Sequence, residues 1–303
     1  VFDTTMFRAI FPEVLILVLA GIILVFDLVL RDENKRILGW LTACGLILIL
    51  VLNLALGRPV DGPSLVWGGM LRFDWLAAIF KSLFIFGAAI TVLFGMEVDD
   101  LGKKGEFYLL LLVSTIGMSL MAGAADLVML YLAIETTSIP MYILTGFFKR
   151  DDKSTEAGFK YLLFGAMTSA IMLYGFSLLY GFSGSTSFSD LTIAISGSSI
   201  QPVGLFGSLT LILVGFSFKI SAVPFHFWAP DVYEGAPTPI TAYLSVASKA
   251  VGFAIILRVF YSAFGLPEWL SLNWGVIFAV LAVISMTVGN IAAIPQTNIK
   301  RLL

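Results

Sequence analysis

Cysteine and histidine are nearly missing from this chain of 303 residues, which holds one of each, Cys44 and His226. A lone cysteine excludes an intramolecular disulfide, and one cysteine with one histidine leaves no ligand cluster for zinc, an iron–sulfur centre or a bis-histidine haem. Charge is scarce too: 13% of residues are Asp, Glu, Lys or Arg and the net charge is -2, with no basic cluster to grip nucleic acid. Apolar residues fill the space instead, at 59% of the chain with a mean hydropathy of +0.98. That lies beyond the usual range of a soluble globular chain, so the sequence reads as an all-α integral membrane protein.

A helical span needs about 20 mostly apolar residues. Runs of that kind predict nine spans, at 9–30, 37–56, 75–96, 107–124, 127–148, 155–181, 204–223, 239–264 and 274–295. The first is a full span with no small-residue cleavage site behind it, so it reads as a retained helix and not as a signal peptide. The chain opens at Val1 and closes on Asn298-Ile299-Lys300-Arg301-Leu302-Leu303, which resembles the entry to another helix and suggests a missing C-terminal part. Short polar connectors separate the spans, and the longest, 182–203, is rich in Ser and Gly and carries no Lys or Arg.

Cytoplasmic loops retain the positive residues. With the N-terminus outside, the inner segments hold ten (Arg31, Lys35, Arg36, Lys103, Lys104, Lys149, Arg150, Lys153, Lys300 and Arg301) and the outer ones three (Arg8, Arg58 and Arg72). The expected orientation therefore puts the N-terminus on the periplasmic side. Five of the eighteen basic residues fall inside predicted spans instead: Lys81, Lys160, Lys219, Lys249 and Arg258.

A charge at mid-membrane costs roughly 2.5–3.5 kcal/mol on insertion scales, so each of these is a functional candidate with a structural alternative. Lys160 lies one turn into its span, four residues after Glu156, and reads either as a locally paired, snorkelling lysine or as a proton carrier. Arg258, near the outer end of its helix, reads as reaching the interface, and Lys81 stays undecided. Glu135, Lys219 and Lys249 have two or more apolar turns on either side, too deep for escape to water. Tyr131 and Ser138 share the Glu135 face, Pro140 is expected to kink that helix, and Ser245 stands one turn before Lys249. Beyond Lys219, four prolines between Pro224 and Pro239 cannot continue a straight helix, and irregular backbone at membrane depth survives only inside protein or beside a water-filled cavity. A broken helix beside a buried lysine recurs at ion sites in transporters. His226 in that stretch titrates near neutrality if unperturbed, or serves as a cap or packing residue. Desolvation disfavours a buried ammonium and a nearby carboxylate favours it, so a buried Lys–Glu pair whose spacing changes acts as a protonation switch.

Three stretches together are specific. Leu130-Tyr131-Leu132-Ala133-Ile134-Glu135, then Phe218-Lys219-Ile220-Ser221-Ala222-Val223-Pro224-Phe225-His226-Phe227-Trp228-Ala229-Pro230-Asp231-Val232-Tyr233-Glu234-Gly235-Ala236-Pro237-Thr238-Pro239, then Ser248-Lys249, closely resemble the antiporter-like membrane subunits of NADH–quinone oxidoreductase, respiratory complex I. The Trp-Ala-Pro-Asp-Val-Tyr-Glu-Gly-Ala-Pro-Thr-Pro form resembles the subunit N family more than paralogues M and L. The resemblance implies an antiporter-like fold with inverted five-helix repeats and broken helices. It divides the chain into a three-helix segment at 1–106, a first repeat at 107–264 broken near 219–228, and the start of a second repeat at 265–303.

By the same resemblance Glu135, Lys219, Lys249 and Lys160 form a proton relay with His226, with Glu135 and Lys219 in contact, while no role is carried over to Lys81 and Arg258. It further implies a non-redox, proton-translocating subunit in a bacterial inner membrane, beside subunits M and K, with FMN, iron–sulfur clusters and quinone on partner subunits and no cofactor in this chain. The family continues past Leu303 to a further broken helix whose lysine completes the route. The alternatives are a subunit of a multi-subunit sodium/proton antiporter, which shares the glutamate, the lysine and the Pro-Phe-His loop, and a scaffold whose buried charges only fix helix packing.

Overall fold

A computed structural model describes residues 4–31, 34–60, 62–197, 201–261 and 268–302. Parts of three expected features lie outside them: 32 and 33 of the first connector, 198–200 of the long loop, and the last residues of the span at 239–264. Each long apolar run forms a helix: α1 (Thr4–Val29), α2 (Arg36–Leu56), α3 (Trp75–Met96), α5 (Gly105–Gly123), α6 (Leu127–Thr145), α7 (Asp152–Ser183), α9 (Pro202–Ile220), α11 (Thr238–Ile256) and α12 (Glu268–Ala293). Among the described residues these are nine helices long and apolar enough to cross a membrane. Between them lie the short α4 (Asp99–Gly102), α8 (Phe188–Ser196), α10 (Trp228–Gly235) and α13 (Ile299–Leu302), and a hairpin of β1 (Ser64–Val66) with β2 (Leu71–Phe73). A π-helical turn, Leu257–Tyr261, extends α11.

Local chemistry sets the helix ends. Asp74, Asp126 and Asp151 accept hydrogen bonds from the backbone N–H groups of Ala77, Val128 and Lys153, satisfying donors that the first turns of α3, α6 and α7 leave free. Gly184, with φ of 73°, ends α7 in the left-handed conformation. Pro140 does not end α6, which continues to Thr145.

α5 is the central column. Its Leu111, Leu112 and Met118 are fully buried, and it packs against α1, α3, α6 and α11. A Cβ at Gly117 would stand 2.4 Å from Thr137 Oγ1, so only glycine lets α6, the helix of Glu135, approach α5 this closely. α10 docks on α7 by the same device, a Cβ at Gly235 falling 2.2 Å from the Lys153 carbonyl oxygen. α12 reaches the body through Trp274 and Phe278 against Phe260, and through Ser285, which accepts from the Val223 N–H at 3.1 Å.

The connectors sort into two ends. At one, the hairpin pairs with Ala124 through Leu71, Asp126 bridges to Ser187, and Trp67 donates to the Met6 carbonyl at 3.0 Å. At the other, Arg36 pairs with Glu97, and Lys153 and Arg301 with Glu234. Among the described connectors, those of like parity along the chain share an end, as alternating crossings require.

Candidate functional site

The broken helix organises the site. α9 stops at Ile220, Ser221 adopts φ of 58°, and the chain turns through Pro224-Phe225-His226 before α10 resumes at Trp228. A helix end leaves backbone carbonyls without intrahelical donors. The Lys219 carbonyl is one of these, and Lys249 Nζ on α11 donates to it at 3.2 Å. The negative end of the α9 dipole thus faces two amines, since the Lys219 side chain occupies the same last turn.

Lys219 is 5% exposed, and its Nζ donates to Ser138 Oγ at 3.0 Å. Ser138 lies one turn beyond Glu135 on α6 and gives its own proton to the Ile134 carbonyl. Among the described residues Glu135 and Lys219 form no ion pair, and Glu135 accepts instead from Ser169 of α7 in a very short hydrogen bond. The direct contact expected from the family resemblance is therefore corrected. Ser169 reaches the carboxylate first, and Ser138 occupies the ammonium.

Lys249 sits over the Trp228 ring, 4.4 Å from its centroid, and 5.7 Å from that of Tyr233. Cation–π attraction offsets part of the cost of holding an ammonium here. Lys249, Ser245 and His226 line one cavity of about 320 Å³ that extends to Gln296 and Arg301. The His226 ring packs on Phe227 at 4.3 Å, and its Nδ1 is buried with no hydrogen-bond partner among the described residues.

Lys160 stands apart from this group. It pairs with Glu156 at 2.6 Å, the partner its spacing predicts, and with Asp231 of α10 at 2.5 Å. Asp231 also pairs with Arg301, and Glu234 with Lys153 and Arg301, so an ionic net ties α7, α10 and α13 together. Hydrogen bonds from Lys153 and Arg301 hold the Glu234 carboxyl at about 2, well under the usual carboxylate range. Between this net and the two buried lysines stands an apolar stack, with Tyr161 on Trp228 at 4.6 Å and Phe218 on Trp228 at 5.0 Å.

The two remaining intramembrane cations have partners that sequence reading did not supply. Lys81 is buried against Glu13 of α1 at 2.7 Å and donates to the Ala9 carbonyl at 2.6 Å. Glu13 was legible as an acid within the first apolar run. Arg258, expected to reach the interface, is instead 2% exposed on its π-turn. It forks onto the Asp74 carboxylate and donates to the Ala122 carbonyl through Nε at 3.1 Å and Nη2 at 2.6 Å. Burial alone would raise the Asp74 carboxyl, but the hydrogen bond and charge of Arg258 prevail and hold it below the usual range. Among the described residues no group of three His, Cys, Asp or Glu side chains forms a metal site.

Known proteins resemble this chain in sequence and fold. Residues 124–303 match the family model described as NADH:quinone oxidoreductase/Mrp antiporter, transmembrane. The chain is 43% identical to NADH-quinone oxidoreductase subunit N of Dehalococcoides mccartyi, over 96% of this chain and 61% of that protein. It is 43% identical to NAD(P)H-quinone oxidoreductase subunit 2 of Nostoc punctiforme, over 97% and 55%. Against a chain of respiratory complex I from Thermus thermophilus it superposes with a TM-score of 0.78 at 32% identity, covering 96% of this chain and 60% of that one. A chain of the Mrp complex from Dietzia sp. DQ12-45-1b shares the fold, with a TM-score of 0.77 at 22% identity over 96% of this chain and 32% of the other. The chain spans little more than half the length of the curated relatives it matches. With a helix broken beside a buried lysine and the family match running over residues 124–303, the chain belongs to the NADH:quinone oxidoreductase/Mrp antiporter family of membrane subunits.

Proposed function

We propose that this chain is part of a proton-translocating, non-redox subunit in the membrane arm of an NADH–quinone oxidoreductase, moving protons through Glu135, Lys219 and Lys249 as quinone is reduced on other subunits. The observation that carries the reading is Lys219: a buried amine at the broken end of α9, bonded to Ser138 and linked through its own carbonyl to Lys249. An amine so placed exchanges its proton along a fixed line of polar groups. Lys249 opens that line to the cavity it shares with His226 and Ser245, and the ionic net around Lys160 and Asp231 is a second, separate proton-bearing site. The identity to subunit N of other organisms supports the assignment over a sodium/proton antiporter.

The partners that fit are antiporter-like subunit M and small subunit K, with FMN, iron–sulfur clusters and quinone held elsewhere in the assembly. The membrane is a bacterial inner membrane with the N-terminus outside, as the lysine and arginine count favours. Cysteines placed at 149–153 should label from the cytoplasmic side and those at 182–203 from the other; the reverse overturns the orientation.

Replacing Lys219 with alanine in the assembled complex tests the transport role. The complex should assemble, with proton pumping and coupled quinone reduction impaired. Loss of assembly indicates a scaffold instead, and an assembled variant that pumps at the wild-type rate removes Lys219 from the mechanism.

A further inference from the structure

Lys219 is buried at the broken end of α9 and Glu135 is partly buried on α6, yet the ammonium and the carboxylate are engaged by different serines. Between those serines lies an internal space of about 20 Å³, whose polar lining consists of Ser138, Thr168, Ser169, Tyr142 and Lys219. A buried water needs roughly 10–15 Å³ and two to four polar partners. The space is therefore large enough for one.

The hydrogens around it are already assigned. Thr168 donates to the Phe164 and Gly165 carbonyls and Ser138 to that of Ile134, so both hydroxyls face the space as acceptors only. Ser169 donates to Glu135, which leaves its oxygen lone pairs free to accept. Lys219 gives one of its three N–H donors to Ser138, and among the described residues the other two have no acceptor. A water in the space accepts from Lys219 and donates to Ser169 and Thr168, in agreement with the donors and acceptors those three side chains have left.

We infer that this space is a single-water site and that Ser169, with that water, is the connection between Lys219 and Glu135, so that Ser169 is a positioning residue for proton exchange between them. The inference rests on the transport reading above. The step balances: Lys219 gives a proton to the water, the water gives one of its own to Ser169 Oγ, and Ser169 gives its hydroxyl proton to a Glu135 carboxylate oxygen. A neutral amine and a neutral carboxylic acid result, with the water and the hydroxyl restored. Unlike a direct ion pair, this route can be closed by a side chain that carries no charge.

The test uses the full complex in membrane vesicles, with assembly checked for every variant. Ser169→Ala should lower coupled pumping by roughly tenfold or more, the loss of one hydrogen bond to a charged group along the path. Ser169→Thr, which keeps the hydroxyl, should restore most of it. In a Glu135→Gln background Ser169→Ala should change nothing further, because a residue that acts through Glu135 has no separate effect once Glu135 is gone. Additive losses there, or a wild-type rate in assembled Ser169→Ala, overturn the inference while leaving the transport reading intact. A wild-type rate in Glu135→Gln removes this carboxylate from the relay and overturns the inference with it. Should Ser169→Ala fail to assemble, Thr168→Val decides: it keeps the shape but removes a water acceptor, and should also slow pumping, while an unchanged rate overturns the inference. A high-resolution map of the complex should show one water within hydrogen-bonding distance of Lys219 and Ser169, and a dry space refutes the site.

Discussion

Arg258 offers the sharpest separation of a buried tie from a snorkelling side chain. Replacing it with methionine keeps an unbranched apolar stem and removes only the guanidinium. Its two partners, the Asp74 carboxylate and the Ala122 carbonyl, feel the loss unequally. Asp74 keeps Arg72 Nε at 3.3 Å and the Ala77 N–H at 2.9 Å, so its carboxylate is not stranded. The Ala122 carbonyl loses both of its arginine donors. Breaking a buried pair by deleting one member costs about 3–5 kcal/mol, and the surviving contacts of Asp74 place this case near the low end, about 3 kcal/mol. That corresponds to roughly a hundredfold change in a folding equilibrium. Arg258→Lys keeps the charge but loses the fork, and should cost less. The assay is the thermal stability of the purified complex, with a cycle through Asp74→Asn, which keeps a helix-capping side chain. Coupling between the two positions should fall within about 0.5–3 kcal/mol. A surface arginine would cost under about 0.5 kcal/mol on removal, so Arg258→Met as stable as wild type, or a cycle without coupling, refutes the buried tie. Pumping per quinone reduced should not change in any of these variants.

Glu135→Gln should leave the complex assembled but slow pumping, with Glu135→Asp milder, read as proton uptake by vesicles during quinone reduction; an unchanged rate removes this carboxylate from the relay. Glu234 sets a pH window for the α7–α10–α13 net. Its carboxyl lies at about 2 against an ordinary 4.5, so its contribution is present above 4.5 and is lost only as pH falls towards 2. The stability gap between wild type and Glu234→Gln should therefore stay constant from about pH 5 to about pH 8, and a gap that closes over that range contradicts the assignment.

The spans were legible because length and apolarity suffice to define them: the run read at 75–96 is α3, Trp75–Met96, and that at 37–56 differs from α2 by one residue. The buried cations were legible for a related reason, since the cost of each makes it stand out in an apolar run. Their partners were not. Glu13 with Lys81, Asp74 with Arg258 and Ser169 with Glu135 lie on helices distant in sequence, and helical periodicity carries no information about which helix packs on which. The β1–β2 hairpin and α8 escaped notice because they are short and half polar. They are held by bridges from Leu71 to Ala124 and from Asp126 to Ser187, which are tertiary contacts. The direct Glu135–Lys219 contact was inferred from resemblance alone, and one intervening serine on α7, invisible to any spacing rule, redirects it.

Lys249 is the residue for which packing and proton transfer make opposite predictions under one substitution. In the fold its ammonium donates to the Lys219 carbonyl and lies over Trp228. Arginine satisfies both contacts, because a guanidinium donates to carbonyls and stacks on aromatic faces at least as well as an ammonium does. The cavity beside Lys249, about 320 Å³, gives the larger head room. A role limited to holding α11 against the helix break therefore survives Lys249→Arg with assembly and turnover unchanged. A relay does not survive it, since the residue must become neutral once per cycle and an arginine, with a pKa above about 12, does not release its proton. The expected outcome is an assembled complex of wild-type stability with quinone reduction uncoupled or stalled, measured as proton uptake per quinone reduced. Wild-type pumping in that variant would show that Lys249 supplies a fixed charge to the broken end of α9 and that the proton leaves Lys219 by another route.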